Sequence, residues 1–180
     1  MKIKFEECSF CLVDVQERLI PHMDNKEVFL KNISTLIKGL KILEVPFVVN
    51  EQYKKGLGQT EQEIETLVSE DKHYEKTTFS CCGNEQSFEA IKKLSKKTVI
   101  VAGIETHVCV LQTCLDLLEA GFNPILVADC VTSRKKLDTI LAFKRLASAG
   151  VTITSYESLF FELLRDSKHK RFKEISKLIQ

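Results

Sequence analysis

The stretch Thr98–Gly121, TVIVAGIETHVCVLQTCLDLLEAG, limits what this chain can fold into more than any other. It opens on an uninterrupted apolar run, Val99 to Ala102, closed by Gly103, which suits a strand covered on both faces. Past Glu105 and Thr106 the period changes. Val108, Leu111, Leu115 and Leu118 recur at helical spacing, with Thr106 placed to cap the helix and Gly121 to stop it. A buried strand that turns tightly into a helix belongs to a parallel sheet with crossover helices. Cys109 falls in the first turn of that helix, where unpaired N–H groups and the dipole favour a thiolate and can hold a developing oxyanion. The same position lies just beyond the carboxyl end of a strand, where open α/β sheets bind ligands.

The rest of the chain repeats the alternation. Phe10–Val15 reads as a strand carrying Asp14 near its end, and residues 27–44 place Val28, Leu30, Ile33, Leu36, Ile37, Leu40 and Leu43 at helical spacing. Phe47–Val49 is a second strand, followed by a loop, Asn50–Thr60, that contains Gly56 and Gly58. A short helix at 61–69, an extended segment His73–Phe79 and a helix Glu85–Leu94 lead to the organising unit, whose second strand is Pro124–Ala128. A helix at 136–148, a strand at 151–156 and helices at 157–165 and 169–179 finish the chain. About six strands separated by helices predict a three-layer α/β/α fold, doubly wound on a mainly parallel sheet with right-handed crossovers. In that topology the ends of strands one, two and four converge, which brings Asp14, the loop at 50–60 and Cys109 into one crevice.

Composition narrows the function classes. A chain of 180 residues with 44% hydrophobic content suits one domain, residues 1–180. Lys and Arg number 26 against 25 Asp and Glu, so no global basic field exists to hold nucleic acid or an anionic membrane. No apolar run approaches the roughly 20 residues of a membrane span, and the first residues lack a signal-peptide pattern, so the expectation is a soluble, cytoplasmic protein. Seven cysteines, several inside apolar runs, read as reduced thiols. Cys8 and Cys11 spell C-x-x-C but enter a strand, where their spacing puts them on opposite faces. His22, His73, His107 and His169 show no ligand spacing, and neither a metal nor a cofactor is expected.

Three motifs carry a resemblance. LVDVQERL at 12–19, EKTTFS at 75–80 and VAGIETHVCV at 101–110 resemble the isochorismatase-like cysteine hydrolases. NEQYKKGLGQT, the TCLDLLEAG helix, VADCVTSR at 127–134 and the terminal FKEISKLIQ are similar to the isochorismatase domain-containing subgroup. The resemblance implies a catalytic triad of Asp14, Lys76 and Cys109. It also implies a cis Ile104–Glu105 peptide and an oxyanion hole made by the backbone N–H groups of Glu105 and Cys109. The implied chemistry is hydrolysis of a small-molecule amide or related acyl bond through a thioester, with Asp14 as base and Lys76 as the cation that stabilises the thiolate. Glu51, Gln52, Tyr53 and Phe79 are candidates for lining the substrate pocket. The loop Asn50, Glu51, Gln52, Tyr53 departs from the Asp and His cluster with which related nicotinamidases hold a metal. Relatives form dimers or larger assemblies, which implies a homo-oligomer, and Phe160, Phe161, Leu163 and Leu164 suit either a partner or the chain's own core.

The residues by themselves leave alternatives open. Asp14 also reads as a strand-end turn residue, Lys76 as a surface lysine, and Cys109 as a small buried hydrophobe. A redox or ligand-binding protein that modifies Cys109 without turnover is a second class, and a ribonuclease is a third.

Overall fold

The computed structural model describes residues 2–180. Strands β1 (Cys8–Val13), β2 (Phe47–Gln52), β3 (His73–Lys76), β4 (Thr98–Ile104), β5 (Asn123–Thr132) and β6 (Thr152–Thr154) form one sheet in the order β3-β2-β1-β4-β5-β6. Every neighbouring pair is parallel. Helix α1 (Lys26–Ile42) follows β1, α2 (Lys54–Leu57) and α3 (Gln62–Val68) follow β2, and α4 (Glu85–Lys93) follows β3. A π turn, Thr106–Val110, leads into α5 (Leu111–Glu119), then come α6 (Lys136–Ala149), α7 (Tyr156–Leu164) and α8 (Phe172–Leu178). Helices α1, α3, α7 and α8 pack together, and α5 packs with α6, so the sheet is wound on both faces. This is the expected three-layer α/β/α architecture.

The central strands explain the core. Every residue of β1 and of β4 is buried, Ser9 and Thr98 included, as the apolar runs Phe10–Val13 and Val99–Ala102 require for strands covered on both sides. Helix α1 buries Phe29, Ile33, Leu36, Ile37 and Leu40, one stripe at the helical period. Phe160, Leu163 and Leu164 of α7 are buried in this same core, whereas Phe161 is exposed. The chain reverses its winding between β1 and β4, and both strand ends there open on the crevice where such folds place their ligands.

Element boundaries moved where polar side chains found buried partners. Strand β2 was expected to stop at Val49, yet it continues through Asn50, Glu51 and Gln52, pairing Val13 with Asn50 on one side and Gln52 with Lys76 on the other. Strand β5 likewise runs on to Thr132 through a shift of register opposite Val101 and Gly103. Strand β1 ends one residue before Asp14, whose φ of 52° turns the chain out of the sheet. Gly103 lies beside this exit with φ 127°, and a Cβ built there would stand 2.0 Å from the Val13 carbonyl oxygen. Only glycine lets β4 approach the end of β1 this closely.

Candidate active site

Asp14 is fixed by its backbone before its side chain is considered. Its N–H donates to the Asn50 carbonyl at 3.1 Å, and its carbonyl accepts from Gln16 N at 2.8 Å. Lys76 closes β3, with its carbonyl accepting from Tyr53 N at 2.8 Å. Because β2 lies between β3 and β1, the lysine side chain must cross over β2 to reach Asp14. It does so fully buried, placing Nζ 2.7 Å from Asp14 Oδ2. The same Nζ donates to Gln52 Oε1 at 2.7 Å, the Phe79 carbonyl at 2.9 Å and the Thr78 carbonyl at 3.2 Å. An ammonium has three protons, and here four oxygens surround it, so it is held as a fixed cation.

Cys109 comes to the same carboxyl group from the π turn after β4. Its thiol interacts with Asp14, while Asp14 Oδ1 makes no hydrogen bond of regular geometry. The carboxylate therefore has one oxygen tied to the ammonium and one still open to a proton. Burial pushes the Asp14 carboxyl up to about 6, against the charge and hydrogen bond of Lys76, which hold it down. Burial pulls the Lys76 ammonium down, but Asp14 and the neighbouring thiols of Cys81 and Cys109 outweigh it, leaving the group above its ordinary value. The Cys109 thiol is pushed well up, first by burial and then by the Asp14 charge, with Lys76 opposing. A helix N-terminus alone was expected to lower it. Desolvation beside an anion wins because the thiol sits only 7% exposed.

The turn that carries Cys109 is wider than an α-helical one. The Glu105 carbonyl accepts from both Val108 N, at 3.1 Å, and Val110 N, at 3.2 Å. Thr106, expected as the N-cap, is instead the first residue of the turn. Glu105 takes the capping position, but its carboxylate leaves the helix to accept from Arg134 N and Nε at 3.0 and 3.1 Å. The Ile104–Glu105 peptide is cis. Outside the regular elements of the described residues the Glu105 N–H donates to no backbone carbonyl, and the Cys109 N–H belongs to the turn itself.

The four pocket candidates divide. Gln52 is buried, its Oε1 accepting from Lys76 at 2.7 Å and its Nε2 donating to the Thr77 carbonyl at 2.8 Å, so one end of the amide orients the lysine and the other holds the backbone beside it. Glu51 is also engaged, accepting from Thr60 N at 2.8 Å and Thr60 Oγ1 at 3.0 Å and pairing with Lys54 at 2.9 Å. Burial pushes its carboxyl up, yet the hydrogen bonds from Lys54 and Thr60 bring it below its ordinary value. It fastens the 53–60 segment onto the sheet. Tyr53 and Phe79 alone are exposed, near the lysine end of the site. Among the described residues no group of three His, Cys, Asp or Glu side chains is arranged to hold a metal ion.

Sequence reasoning missed several supporting residues. Gln16 is fully buried and clamps the backbone of Gln52, donating to its carbonyl at 3.0 Å and accepting from its N–H at 2.7 Å. His107, which showed no ligand spacing, places its Nδ1 2.9 Å from Ser133 Oγ. Arg134 and Ser133 thus tie the loop after β5 to the turn after β4. No spacing rule reveals such contacts, because each joins segments distant in sequence.

The sequence and the fold have counterparts among known proteins. A family model described as the isochorismatase domain matches residues 8–158. An isochorismatase domain-containing protein 1 of Danio rerio is 39% identical over 95% of this chain, which spans 60% of that relative's length. The structure of MAR1 ribonuclease from Caenorhabditis elegans superposes with a TM-score of 0.93 at 37% identity, covering 99% of this chain and 92% of that one. YcaC of Escherichia coli, described as an octameric hydrolase of unknown specificity, superposes with a TM-score of 0.95 over 99% of this chain and 89% of its own. At 22% identity this last similarity speaks to the fold alone.

Proposed function

The chain belongs to the isochorismatase family, and on that premise we propose that it is a cysteine-dependent hydrolase of a small-molecule amide or related acyl bond, with Asp14, Lys76 and Cys109 as its catalytic residues. The observation that carries the reading is the fully buried contact between Lys76 Nζ and Asp14 Oδ2, at 2.7 Å, beside the thiol of Cys109 where the sheet reverses its winding. A buried ion pair alone is a poor stabiliser of a fold, whereas next to a nucleophile it sets the charge of a base.

The steps follow from the protonation states. Above a pH of about 6 Asp14 is ionised while the Cys109 thiol keeps its proton. As sulfur attacks the acyl carbon, Asp14 takes that proton and the carbonyl oxygen becomes an oxyanion. The N–H groups of Glu105 and Cys109 receive it, each contributing on the order of 3 kcal/mol to the transition state. Collapse expels the amine, which takes the proton back from Asp14 and leaves a thioester. Water, deprotonated by Asp14, attacks the thioester, and the departing thiolate recovers the proton to give the acid and free enzyme. Lys76 stays protonated throughout and limits the pKa rise of its neighbour. Tyr53 and Phe79 border the entrance, and a homo-oligomer belongs to the same reading.

A ribonuclease is the second reading, favoured by the description of the C. elegans relative. A net charge of +1 gives it little electrostatic support. The test is peptide-resolved alkylation of Cys109 against pH in wild type, Asp14→Asn and Lys76→Met, followed by a panel of amides and esters. Cys109 should react faster than the more exposed Cys82, with a rate that rises through a pH of about 6 and collapses in Asp14→Asn. If Cys109 reacts no faster than the other six cysteines, the nucleophile assignment fails. Reaction without turnover of any acyl compound would favour the modification reading, and salt-dependent RNA cleavage would favour the nuclease.

A further inference from the structure

The positive charges on the segments that form the site are spent on the protein itself. Lys76 is fully buried and its Nζ donates to oxygens of Asp14, Gln52, Thr78 and Phe79, so no ligand reaches its ammonium. Lys54, on the segment after β2, pairs with Glu51 at 2.9 Å. Arg134, on the loop after β5, pairs with Glu105 at 3.1 Å. Arg18, just past Asp14 in the chain, donates to the carbonyls of Lys55 and Gly56 at 3.5 and 3.0 Å. Among the described residues Lys55 and Lys135 have no ion-pair partner, but both are exposed, where a cation adds little to binding.

The groups left uncommitted are of another kind. Among the described residues three buried side-chain N or O atoms lack a hydrogen-bond partner, and two of them, Asp14 Oδ1 and Thr106 Oγ1, sit just past the ends of β1 and β4. Buried polar atoms are nearly always paired, so two orphans on strand ends that meet at one crevice mark where a ligand completes the bonding. The Glu105 N–H is a further neutral donor beside Thr106. Tyr53 and Phe79 supply half-exposed aromatic surface, and both start from backbone tied to the lysine: Tyr53 N donates to the Lys76 carbonyl at 2.8 Å, and the Phe79 carbonyl accepts from Nζ at 2.9 Å. Each acid of the site thus has its own base, and what remains is a carboxylate oxygen, a hydroxyl, an N–H and two rings.

We infer that the acyl compound this site accepts is an uncharged carboxamide with an apolar remainder that packs on Tyr53 and Phe79, and that the site rejects compounds carrying a carboxylate. The inference rests on the hydrolase reading and names its substrate class. A carboxamide offers N–H donors and a carbonyl acceptor, the complement of a carboxylate oxygen, a hydroxyl and a backbone N–H. A carboxylate on the substrate would enter beside Asp14, lose its hydration and find no unengaged cation to offset either charge. Lys76 cannot serve both anions, because its protons are already taken by oxygens of the protein.

The experiment compares two alkylating reagents that differ only in this group, iodoacetamide and iodoacetate. Peptide-resolved rates at Cys109 are taken at a pH of about 7.5, where Asp14 is ionised, and each is divided by the rate of the same reagent with 2-mercaptoethanol, which removes the intrinsic difference between them. The normalised rates should favour iodoacetamide by about tenfold or more. Phe79→Arg sets a guanidinium at an exposed position beside the lysine; it should fold, as judged by circular dichroism, and should narrow the preference by about threefold through faster reaction with iodoacetate. Equal normalised rates, a preference for iodoacetate, or a preference that Phe79→Arg leaves unchanged would each overturn the substrate class while Cys109 keeps its place as nucleophile. A Cys109 that reacts with neither reagent faster than the other cysteines removes the hydrolase reading and the substrate class with it, so the two failures are distinguishable.

Discussion

Replacing Lys76 by Met tests the buried pair most directly, because methionine fills much of the volume of the lysine stem and removes the charge with little cavity. The substitution leaves Asp14 with no exposed surface and no cation, and Gln52 Oε1 loses its donor. Breaking a buried pair from one side costs about 3–5 kcal/mol at neutral pH. The pH dependence carries more information than the loss itself. In wild type the carboxyl already stands at about 6, so with the ammonium gone it rises further. A carboxyl whose folded pKa exceeds its unfolded value of about 3.9 binds its proton more tightly when folded. Its favourable contribution is complete below that unfolded value and is lost as pH rises through the folded one, at about 1.4 kcal/mol per unit of difference. Urea unfolding from pH 4 to 9 should therefore show wild type levelling off above a pH of about 7, while Lys76→Met continues to weaken at higher pH. Asp14→Asn/Lys76→Met, with no buried charge left, should recover about 2 kcal/mol or more at pH 8 and lose the slope. A Lys76→Met variant that loses less than about 1 kcal/mol, with the wild-type pH profile, would show that water reaches Asp14 and would refute the desolvated base.

Four further outcomes follow from the same geometry. Gly103→Ala places a Cβ 2.0 Å from the Val13 carbonyl oxygen at φ 127°, so thermal unfolding should show a loss of at least about 2 kcal/mol and alkylation of Cys109 should slow as β1 shifts under Asp14. Gln52→Leu removes one acceptor from Lys76 and the donor to the Thr77 carbonyl; a cost of about 1–3 kcal/mol in denaturant is expected, with an altered pH profile of Cys109 alkylation. Arg134→Ala frees the Glu105 carboxylate from the exposed guanidinium, which should change stability by less than about 1 kcal/mol yet slow any acyl turnover through kcat, since the turn bearing the two N–H groups loses a tether. Phe79→Ala, at a position 53% exposed, should stay within about 0.5 kcal/mol of wild type in stability and raise KM for a small acyl substrate more than it lowers kcat.

Much of the architecture was legible in the residues. The uninterrupted apolar runs of β1 and β4 can be covered only inside a parallel sheet, and the helical stripe of α1 has one face to bury, so layer order and the crevice follow from periodicity. Those signals are local and repeat along the chain, which makes them readable. Asp14, Lys76 and Cys109 were picked out through motif resemblance, and topology alone would have proposed two of them, at the ends of β1 and β4.

Composition misled where a polar side chain is buried by a partner it meets only in space. Asn50, Glu51 and Gln52 look like a loop in sequence and are strand in the fold, because Leu12, Thr60, Lys76 and Thr77 satisfy them. The same long-range contacts seat the Gln52 amide between Lys76 Nζ and the Thr77 carbonyl. They also raised the Cys109 thiol where a helix terminus alone would have lowered it. The sequence by itself determined which segments must be covered, since the free energy of burying an apolar run depends on the run. The tertiary structure decided which charges face one another, and at what depth, because desolvation and Coulomb energies depend on distances that no stretch of chain contains.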